Sequence, residues 1–373
     1  MLRTLRWLLL SLLAACSAPA PLVHEAYVWQ RAWSEPLRAA LIDPTQPFAV
    51  WRVLALEATG QRAVAIAIDA HALAQSGKPV RIVARIEGAR LTIAATDVAQ
   101  HLARAASVLR GAGVKVDGIE IDHDCATAAL PHYAQWLGAL RSALPDERLS
   151  ITALPTWLDS PRLPELLARV EHSVLQVHAV AHPREGLFDA ARARDWVRRY
   201  AELGRPFYVA LPAYHVAVSL DAAGAVVGVA AEEADSPAAT EVRSDPVQAA
   251  TLLHSLSGDV RGLIGIVWFR LPLASDRRAW HPRTLRAVVA GDPLAAAVRT
   301  ETTTGLTVQF ALRASGNIDQ LAVPVELPAS CRYADATPPF ALDGRPGAWR
   351  LVPQAPVWLK PDERREIGWC RSD

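Results

Sequence analysis

Residues 116–125 read Val116-Asp117-Gly118-Ile119-Glu120-Ile121-Asp122-His123-Asp124-Cys125. Because side chains alternate between the two faces of a β-strand, Glu120, Asp122 and Asp124 should share one face. Segments rich in Ala and Leu on both sides predict helices that cover the strand on both faces, as in a parallel sheet. Carboxylates that converge under such cover repel each other, and at least one should have a raised pKa, which suits acid–base chemistry. The alternative is a solvated strand end or a network balanced by nearby arginines.

The composition bounds the size and the partners of the protein. A chain of 373 residues can form one large domain of about 250 residues and a smaller one. The formal net charge is +1, and arginines are scattered among acidic residues without a basic stripe. This pattern argues against a nucleic-acid partner. The 12 Trp residues are either core residues or exposed aromatic platforms for a ligand.

The amino-terminal residues predict export. Arg3 and Arg6 precede an apolar run, Trp7 to Leu13, that is too short to span a bilayer. Leu13-Ala14-Ala15-Cys16 resembles the lipobox of bacterial lipoproteins, which implies a signal peptide over residues 1–16 and lipidation of Cys16. Ser17 after the cysteine indicates an outer-membrane anchor facing the periplasm. A plain secretory signal is the alternative, and either way the predicted fold begins near residue 24.

The three remaining cysteines have different expected roles. Cys331 and Cys370 flank the carboxyl-terminal segment and are candidates for a disulfide in an oxidising compartment. Cys125 follows a strand-borne acid and is more consistent with a small buried side chain than with a nucleophile. No Cys/His spacing matches a zinc site, and no cofactor is predicted.

Strand-like runs alternate with helical stretches over residues 24–292. Eight such runs are Ala26 to Trp29, Phe48 to Leu56, Val80 to Ile86, residues 116–125, Leu149 to Leu154, Val174 to His178, Phe207 to Leu211 and Gly262 to Phe269. This count predicts the α/β class and a (β/α)8 TIM barrel. An open doubly wound sheet is the alternative, although the Gly-rich turn of a dinucleotide site is absent.

Two further segments depart from a minimal barrel. Residues 216–220 and 225–229 flank a turn and predict a β-hairpin, followed by a polar loop from Glu232 to Glu241. The hairpin follows the seventh strand, so it should rise beside the cleft as a wall or lid. Short strands between turns over residues 299–373 predict a small β-sandwich-like domain.

The carboxyl ends of the predicted strands carry the candidate ligand contacts, because chemistry in such barrels occurs there. Indole rings beside carboxylates and polar donors suit a sugar, which presents both C–H faces and hydroxyls. Individually, a buried histidine or a tryptophan that fills the barrel is an equally ordinary finding. The candidates are Trp29, Gln176, His178, Tyr214, Trp268 and Arg270.

Residues 117–124 resemble the fourth-strand signature of glycoside hydrolase family 18, the chitinase-like barrels, written D-G-x-D-x-D-x-E. Gly265-Ile266-Val267-Trp268 is similar to the eighth strand of that family. The resemblance implies that Asp124 is the general acid, that Asp122 is its orienting partner with Glu120 behind it, and that Trp268 forms the floor of the sugar site.

Two departures from that family bear on activity. Asp124 stands where the family has Glu, and Gln176-Val177-His178 stands where it has Met-x-Tyr-Asp. The run Ile121-Asp122-x-Asp124-Cys125, with a lipoprotein signal and a trailing β domain, also resembles a bacterial lipoprotein family of unknown function.

Three functions follow as hypotheses. The first is a lipid-anchored, glycoside hydrolase-like barrel that acts on or binds a cell-envelope or environmental glycan through carboxylate acid catalysis. The second is a non-catalytic glycan-binding or envelope scaffold lipoprotein, which the change from Glu to Asp124 favours. The third is a divalent-metal site on Glu120, Asp122 and Asp124, because hard cations prefer clustered oxygens.

Overall fold

A computed structural model describes residues 22–178, 186–222, 224, 226–230, 240–256 and 260–372. Its first part alternates strands and helices. In chain order these are β1 (Val23–Val28), α1 (Glu35–Ile42), β2 (Trp51–Thr59), β3 (Arg62–Ala65), α2 (Ala70–Ser76), β4 (Val80–Glu87), α3 (Ala95–Gly111), β5 (Val116–Asp122), α4 (Leu130–Ala143), β6 (Leu149–Ala153), α5 (Leu163–Leu167), β7 (His172–Gln176), α6 (Ala190–Ala201), β8 (Phe207–Pro212), β9 (His215–Leu220), β10 (Val226–Ala230), β11 (Thr240–Arg243), α7 (Pro246–Leu256), β12 (Leu263–Phe269) and α8 (Pro282–Ala290).

Eight of these strands form a closed parallel barrel. Their order is β1, β2, β4, β5, β6, β7, β8 and β12, and β12 pairs with β1 to close the circle. The predicted (β/α)8 barrel is therefore confirmed. Closure satisfies the backbone hydrogen bonds of every strand and leaves no free edge inside the sheet. The carboxyl ends of the strands meet at one rim, here called the mouth.

Side-chain alternation separates the two faces of the barrel wall. Ile119 and Ile121 on β5 point outward and pack with the helices, while Glu120 and Asp122 point inward. The covering helices bury apolar stripes at helical spacing, as α3 does with Val98, Leu102 and Leu109. The predicted common face of the strand acids is thus the interior of the barrel.

The segment after β8 forms an antiparallel sheet in which β9 lies between β10 and β11. The predicted hairpin corresponds to β9 and β10. Thr240 and Glu241 extend this sheet in β11, so the end of the predicted loop is a strand, because its backbone pairs with Ala217 and Val218. Residues 231–239 lie outside the described part of the chain.

The carboxyl-terminal part is built of antiparallel sheets that share one apolar core, to which Phe310, Leu351 and Leu359 contribute from different sheets. Cys331 and Cys370 form a disulfide within it. The strands are β13 (Val298–Thr303), β14 (Val308–Ala314), β15 (Gln320–Leu321), β16 (Val325–Glu326), β17 (Tyr333–Ala336), β18 (Phe340–Arg345), β19 (Ala348–Pro353), β20 (Trp358–Leu359) and β21 (Arg364–Arg371).

The predicted signal segment and Cys16 lie outside the described residues, which begin at residue 22. Within the described ranges, no helix is both long enough and apolar enough to cross a membrane.

Candidate functional site

One layer below the mouth, the barrel interior contains a buried ionic network. Arg52 on β2 donates from Nε to Glu25 Oε2 at 2.6 Å and from Nη1 to Glu120. The Tyr27 hydroxyl donates to the other oxygen of Glu120 at 2.5 Å. All four side chains are buried. The guanidinium pairs with two carboxylates that have no access to water, and such pairing lowers the cost of burying charge.

This network corrects the sequence prediction for Glu120. The residue was expected to belong to the catalytic carboxylates, but its side chain is fully buried and both oxygens are engaged by Tyr27 and Arg52. In the structure its side chain accepts from Arg52 and Tyr27 inside the barrel. The physical reason is that β5 descends into the barrel, so an acid two residues before its end lies one layer too deep to meet a ligand.

The mouth holds Asp122 and Asp124 on either side of Arg85 from β4. Arg85 Nη1 lies 2.9 Å from Asp122 Oδ2 and 2.9 Å from Asp124 Oδ2. Thr152 on β6 donates its hydroxyl to Asp122 Oδ1 at 2.8 Å. Asp124 Oδ1 is buried and has no hydrogen-bond partner among the described residues. The two strand acids therefore share one guanidinium, which offsets one of their two negative charges.

The two aspartates differ in environment. The Asp122 side chain is 8% exposed, whereas that of Asp124 is 33% exposed. Burial raises the pKa of Asp122 to about 6, with the Asp124 charge adding to the rise and the Arg85 charge opposing it. A proton can thus reside on Asp122 at mildly acidic pH.

An aromatic cluster lies beside these acids, with Phe269 at its centre. The Phe269 ring centroid lies 5.0 Å from that of Trp29, 5.1 Å from that of Tyr214 and 5.9 Å from that of His178. The Tyr214 hydroxyl is 3.4 Å from His178 Nδ1. The structure therefore brings together Trp29, Tyr214 and His178, three of the predicted contacts. Sequence analysis did not single out Phe269, the residue that joins them.

Trp268 does not belong to this cluster, which corrects its predicted role as the floor of a sugar site. It is fully buried between the barrel and the helices, donates from Nε1 to His24 Nδ1 at 3.0 Å and packs 5.9 Å from the Trp280 ring. Alternation along β12 points Val267 and Phe269 inward and Trp268 outward. Because Trp268 and Phe269 are adjacent on the strand and both aromatic, the sequence does not indicate which of them faces the interior.

Arg270, the next predicted contact, lies past the end of β12. Its side chain is almost fully buried, and Nη2 is 2.5 Å from Asp276 Oδ2. With Gln30 and Arg31, which follow β1, it lines a cavity of about 360 Å³. Arg270 therefore lies apart from Gln176.

A second cavity, here called the β6–β7 cavity, has a volume of about 380 Å³. It lies between the carboxyl ends of β6 and β7 and the first turns of α6. Its lining includes Gln176 and His178, together with Leu154, Phe188 and Trp196. Asp122 and Asp124 do not line it. Trp29 and Tyr214 thus lie in the aromatic cluster, Gln176 lines this cavity, and His178 belongs to both.

A metal site on the strand acids does not fit the structure. Within the described ranges, no group of three or more His, Cys, Asp or Glu side chains is arranged to hold a metal ion. Glu120 and Asp122 instead face the guanidinium groups of Arg52 and Arg85. A cation would have to compete with these fixed positive charges.

Several solved structures share this barrel. The spore cortex-lytic enzyme SleL of Bacillus cereus is 12% identical, with a TM-score of 0.50 over 74% of this chain and 75% of that chain. A chitinase from Bacteroides thetaiotaomicron is 10% identical, with a TM-score of 0.49 over 68% and 90%. The family 18 chitinase ChiB of Flavobacterium johnsoniae is 10% identical, with a TM-score of 0.48 over 72% and 94%. At such identities the likeness concerns the fold alone.

Comparison at the level of sequence identifies the family. Among proteins of curated function, none matches this chain. A family model described as "Domain of unknown function (DUF8456)" matches residues 297–373, the carboxyl-terminal sheets. A second model, "Domain of unknown function (DUF3142)", matches residues 76–274, which is more than half of the chain and most of the barrel. The chain therefore belongs to the DUF3142 family.

Proposed function

We propose that this protein is an exported lipoprotein, anchored through Cys16, that binds a cell-envelope or environmental glycan at the barrel mouth without hydrolysing it. The observation that carries the proposal is the position of Arg85, which donates to both Asp122 and Asp124 at 2.9 Å.

The same contacts argue against hydrolysis. A general acid must carry a proton and direct it at the glycosidic oxygen. Asp124 Oδ2 accepts from Arg85, and its other oxygen is buried. Asp122 has the raised pKa of an acid, but it is nearly buried and both of its oxygens accept hydrogen bonds. Neither aspartate is placed to give a proton to a bound sugar.

Ligand binding is supported by the polar groups that remain accessible at the mouth. Arg85 and Asp124 are about a quarter and a third exposed. Arg31 and Glu57, a second ion pair at the ends of β1 and β2, are also partly exposed. Paired guanidinium and carboxylate groups offer both donors and acceptors to sugar hydroxyls. In the neighbouring aromatic cluster, Phe269 is partly exposed and can contact C–H faces, whereas Trp29 is buried.

A glycan array followed by calorimetry tests the binding proposal. We expect saturable binding of at least one envelope or environmental glycan and no turnover of any glycan that binds. Asp124→Asn, which removes a charge from the mouth, should weaken binding about tenfold, since hydrogen bonds to charged groups contribute about 1.5–3 kcal/mol. Arg110→Gln, which alters an ion pair with Glu147 on the outer surface, is the matched control and should bind as wild type does.

Two results would contradict this proposal. Turnover by the wild-type protein that disappears in Asp124→Asn would identify a hydrolase. Absence of binding to every glycan would remove the carbohydrate assignment. The anchor is tested separately by metabolic labelling with an alkyne fatty acid, which should label the wild-type protein in a bacterial host and leave Cys16→Ser unlabelled.

A further inference from the structure

We propose that a groove lined by Arg141, Arg169 and Arg205, on the face of the barrel opposite the mouth, binds the phosphate group of an anionic phospholipid headgroup. This inference rests on the lipid anchor of the proposed function for the source of the phosphate. It goes beyond glycan binding, because it gives the opposite face a ligand of its own and turns the mouth away from the bilayer.

The arginine groove lies at the amino ends of the barrel strands. Its lining comes from Gly138, Arg141 and Ser142 in the last turns of α4, from residues 168–171, which lead into β7, and from Arg205, which precedes β8. Parallel strands begin at one rim of a barrel and end at the other, so this rim is opposite the mouth. The groove has a volume of about 560 Å³, and every lining residue lies within the described ranges.

The charge of the groove is positive. Three arginines and one glutamate, Glu171, line it, which gives a net charge of +2. Arg141 Nη2 donates to both carboxylate oxygens of Glu171, at 2.7 and 2.9 Å, and so offsets that charge. Arg205 Nη2 donates to the carbonyls of Leu167 and Val170 at 3.2 and 3.0 Å, which covers the negative end of α5 that would otherwise repel an anion.

Arg169 supplies an accessible guanidinium. Its side chain is exposed, and no other residue in the described part of the chain forms a hydrogen bond or an ion pair with it. A Cβ added to Gly138 would lie 3.9 Å from Arg169 Nη1, so the glycine borders the space beside the guanidinium. Glycine within a helix is destabilising, and here it leaves that space open. A guanidinium donates two parallel hydrogen bonds to phosphate oxygens, which suits this position to a phosphate.

The size of the groove favours a headgroup over a free ion. At about 30 Å³ for each water molecule, its volume corresponds to roughly eighteen waters. A single tetrahedral ion would fill a small part of that space, whereas a phosphodiester with an attached glycerol would fill more. The exposed hydroxyl of Ser142 can also accept a hydrogen bond from a glycerol hydroxyl.

The proposed anchor brings this face to the bilayer. β1 begins at Val23 and is parallel to the other barrel strands, so it starts at the same rim as the groove. Cys16 precedes Val23 by seven residues, which span at most about 25 Å. Anchoring within this reach makes the headgroup contact intramolecular, with an effective concentration in the millimolar range. A site with weak intrinsic affinity is therefore sufficient.

A phosphorus NMR titration of the full chain with glycerophosphoglycerol, the soluble headgroup of phosphatidylglycerol, tests the proposal. We expect saturable binding that is tighter than that of inorganic phosphate. Glycerophosphocholine should bind about fivefold more weakly, because its choline adds a positive charge. Arg169→Gln should also weaken binding about fivefold, since one basic residue near an anionic lipid contributes about 1 kcal/mol.

Two matched controls accompany these variants. Gly138→Glu places a carboxylate beside Arg169 and should bind about fivefold more weakly than Gly138→Gln, which has the same shape and no charge. Arg345→Gln removes an exposed arginine of the small domain and should bind as wild type does. Both substitutions of Gly138 introduce residues that favour a helix, so these two variants should fold, which thermal melting verifies.

A loss of affinity in folded Arg169→Gln, or in Gly138→Glu relative to Gly138→Gln, supports the groove. The proposal is overturned if glycerophosphoglycerol does not bind saturably, or if Arg169→Gln and Gly138→Glu both bind it with wild-type affinity. Inorganic phosphate that binds equally tightly would assign the groove to the free ion and overturn the lipid assignment. Because the probes are soluble, the outcome is independent of the fatty-acid labelling of Cys16, and a failed anchor is distinguishable from a failed groove.

Discussion

Replacing Arg85 by methionine should make the stability of the barrel depend on pH. In the wild-type protein, the guanidinium donates to Asp122 Oδ2 and Asp124 Oδ2 at 2.9 Å each. Methionine keeps most of the side-chain volume and removes the charge. Two carboxylates then share the mouth without a counter-ion, in surroundings where Asp122 is nearly buried.

The expected loss of stability follows from how deeply the ion pairs of Arg85 with Asp122 and Asp124 are buried. Removing one partner of a fully buried ion pair costs about 3–5 kcal/mol. Because Arg85 is 24% exposed and Asp124 is 33% exposed, solvent screens part of this effect, and we expect about 2–3 kcal/mol at pH 8. At pH 5 a protonated Asp122 no longer repels Asp124, so the loss should fall to about 1 kcal/mol, the value of the lost hydrogen bonds.

The pKa of Asp122 in the wild-type protein fixes the direction in which stability changes with pH. The folded-state pKa of Asp122, about 6, lies above its ordinary value of 3.8. Its contribution to stability is therefore fully present below pH 3.8 and is lost as the pH rises through 6. Removal of Arg85 takes away the charge that opposes this shift, so the pKa rises further. In Arg85→Met, the fall in the free energy of unfolding on ionisation of Asp122 should therefore be larger than in the wild-type protein and should occur at higher pH.

Urea denaturation followed by tryptophan fluorescence at pH 5 and pH 8 measures the difference. Arg110→Met is the matched control, because Arg110 bonds Glu147 at 2.7 and 2.9 Å with half of its side chain exposed. It should lose less than about 1 kcal/mol at both pH values. Equal losses for Arg85→Met at both pH values, or losses no larger than those of Arg110→Met, would refute the assigned role of Arg85.

Three further predictions concern structural residues. Glu120→Gln should lower the free energy of unfolding by about 2 kcal/mol in urea titrations, because hydrogen bonds to a charged group are lost, and adding Arg52→Met should lower it further, because Glu25 then stays buried without Arg52; full stability in Glu120→Gln would contradict the buried network. Trp268→Ala should cost about 3–5 kcal/mol yet leave glycan affinity unchanged by calorimetry; selective loss of affinity would return Trp268 to the site. Cys331→Ser with Cys370→Ser, which opens a loop with a sequence separation of 39, should destabilise the small domain by about 3–4 kcal/mol; unaltered melting would show that the disulfide is dispensable.

The fold was predictable because its signals are local. Strand and helix periods alternate along the chain, and eight strand-helix repeats have few stable arrangements apart from a closed barrel. The alternation in β5 also predicted that Glu120 and Asp122 share a face. Helical coverage of both sides of the sheet then indicated that this face is enclosed.

The sequence did not predict how deep in the barrel each inward-facing residue lies. Glu120 and Asp122 are two residues apart and identical in pattern, yet one lies in a closed ionic layer and the other lies at the mouth. Arg52 and Arg85 are visible in the sequence as charges within apolar strands. A charged residue in a buried strand predicts an ionic partner, and this signal would have indicated a neutralised network.

Local periodicity therefore determines the elements, the closed barrel and the set of side chains that share a face, because these depend on residues close together along the chain. Partner choice depends on contacts over long separations, such as 37 residues between Arg85 and Asp122 and 68 between Arg52 and Glu120. Only the tertiary structure decides that Arg85 donates to both mouth aspartates, that Phe269 rather than Trp268 faces inward, and that His178 packs against Tyr214 and Phe269. Each outcome depends on how strands from distant parts of the chain align around the barrel, which no local pattern records.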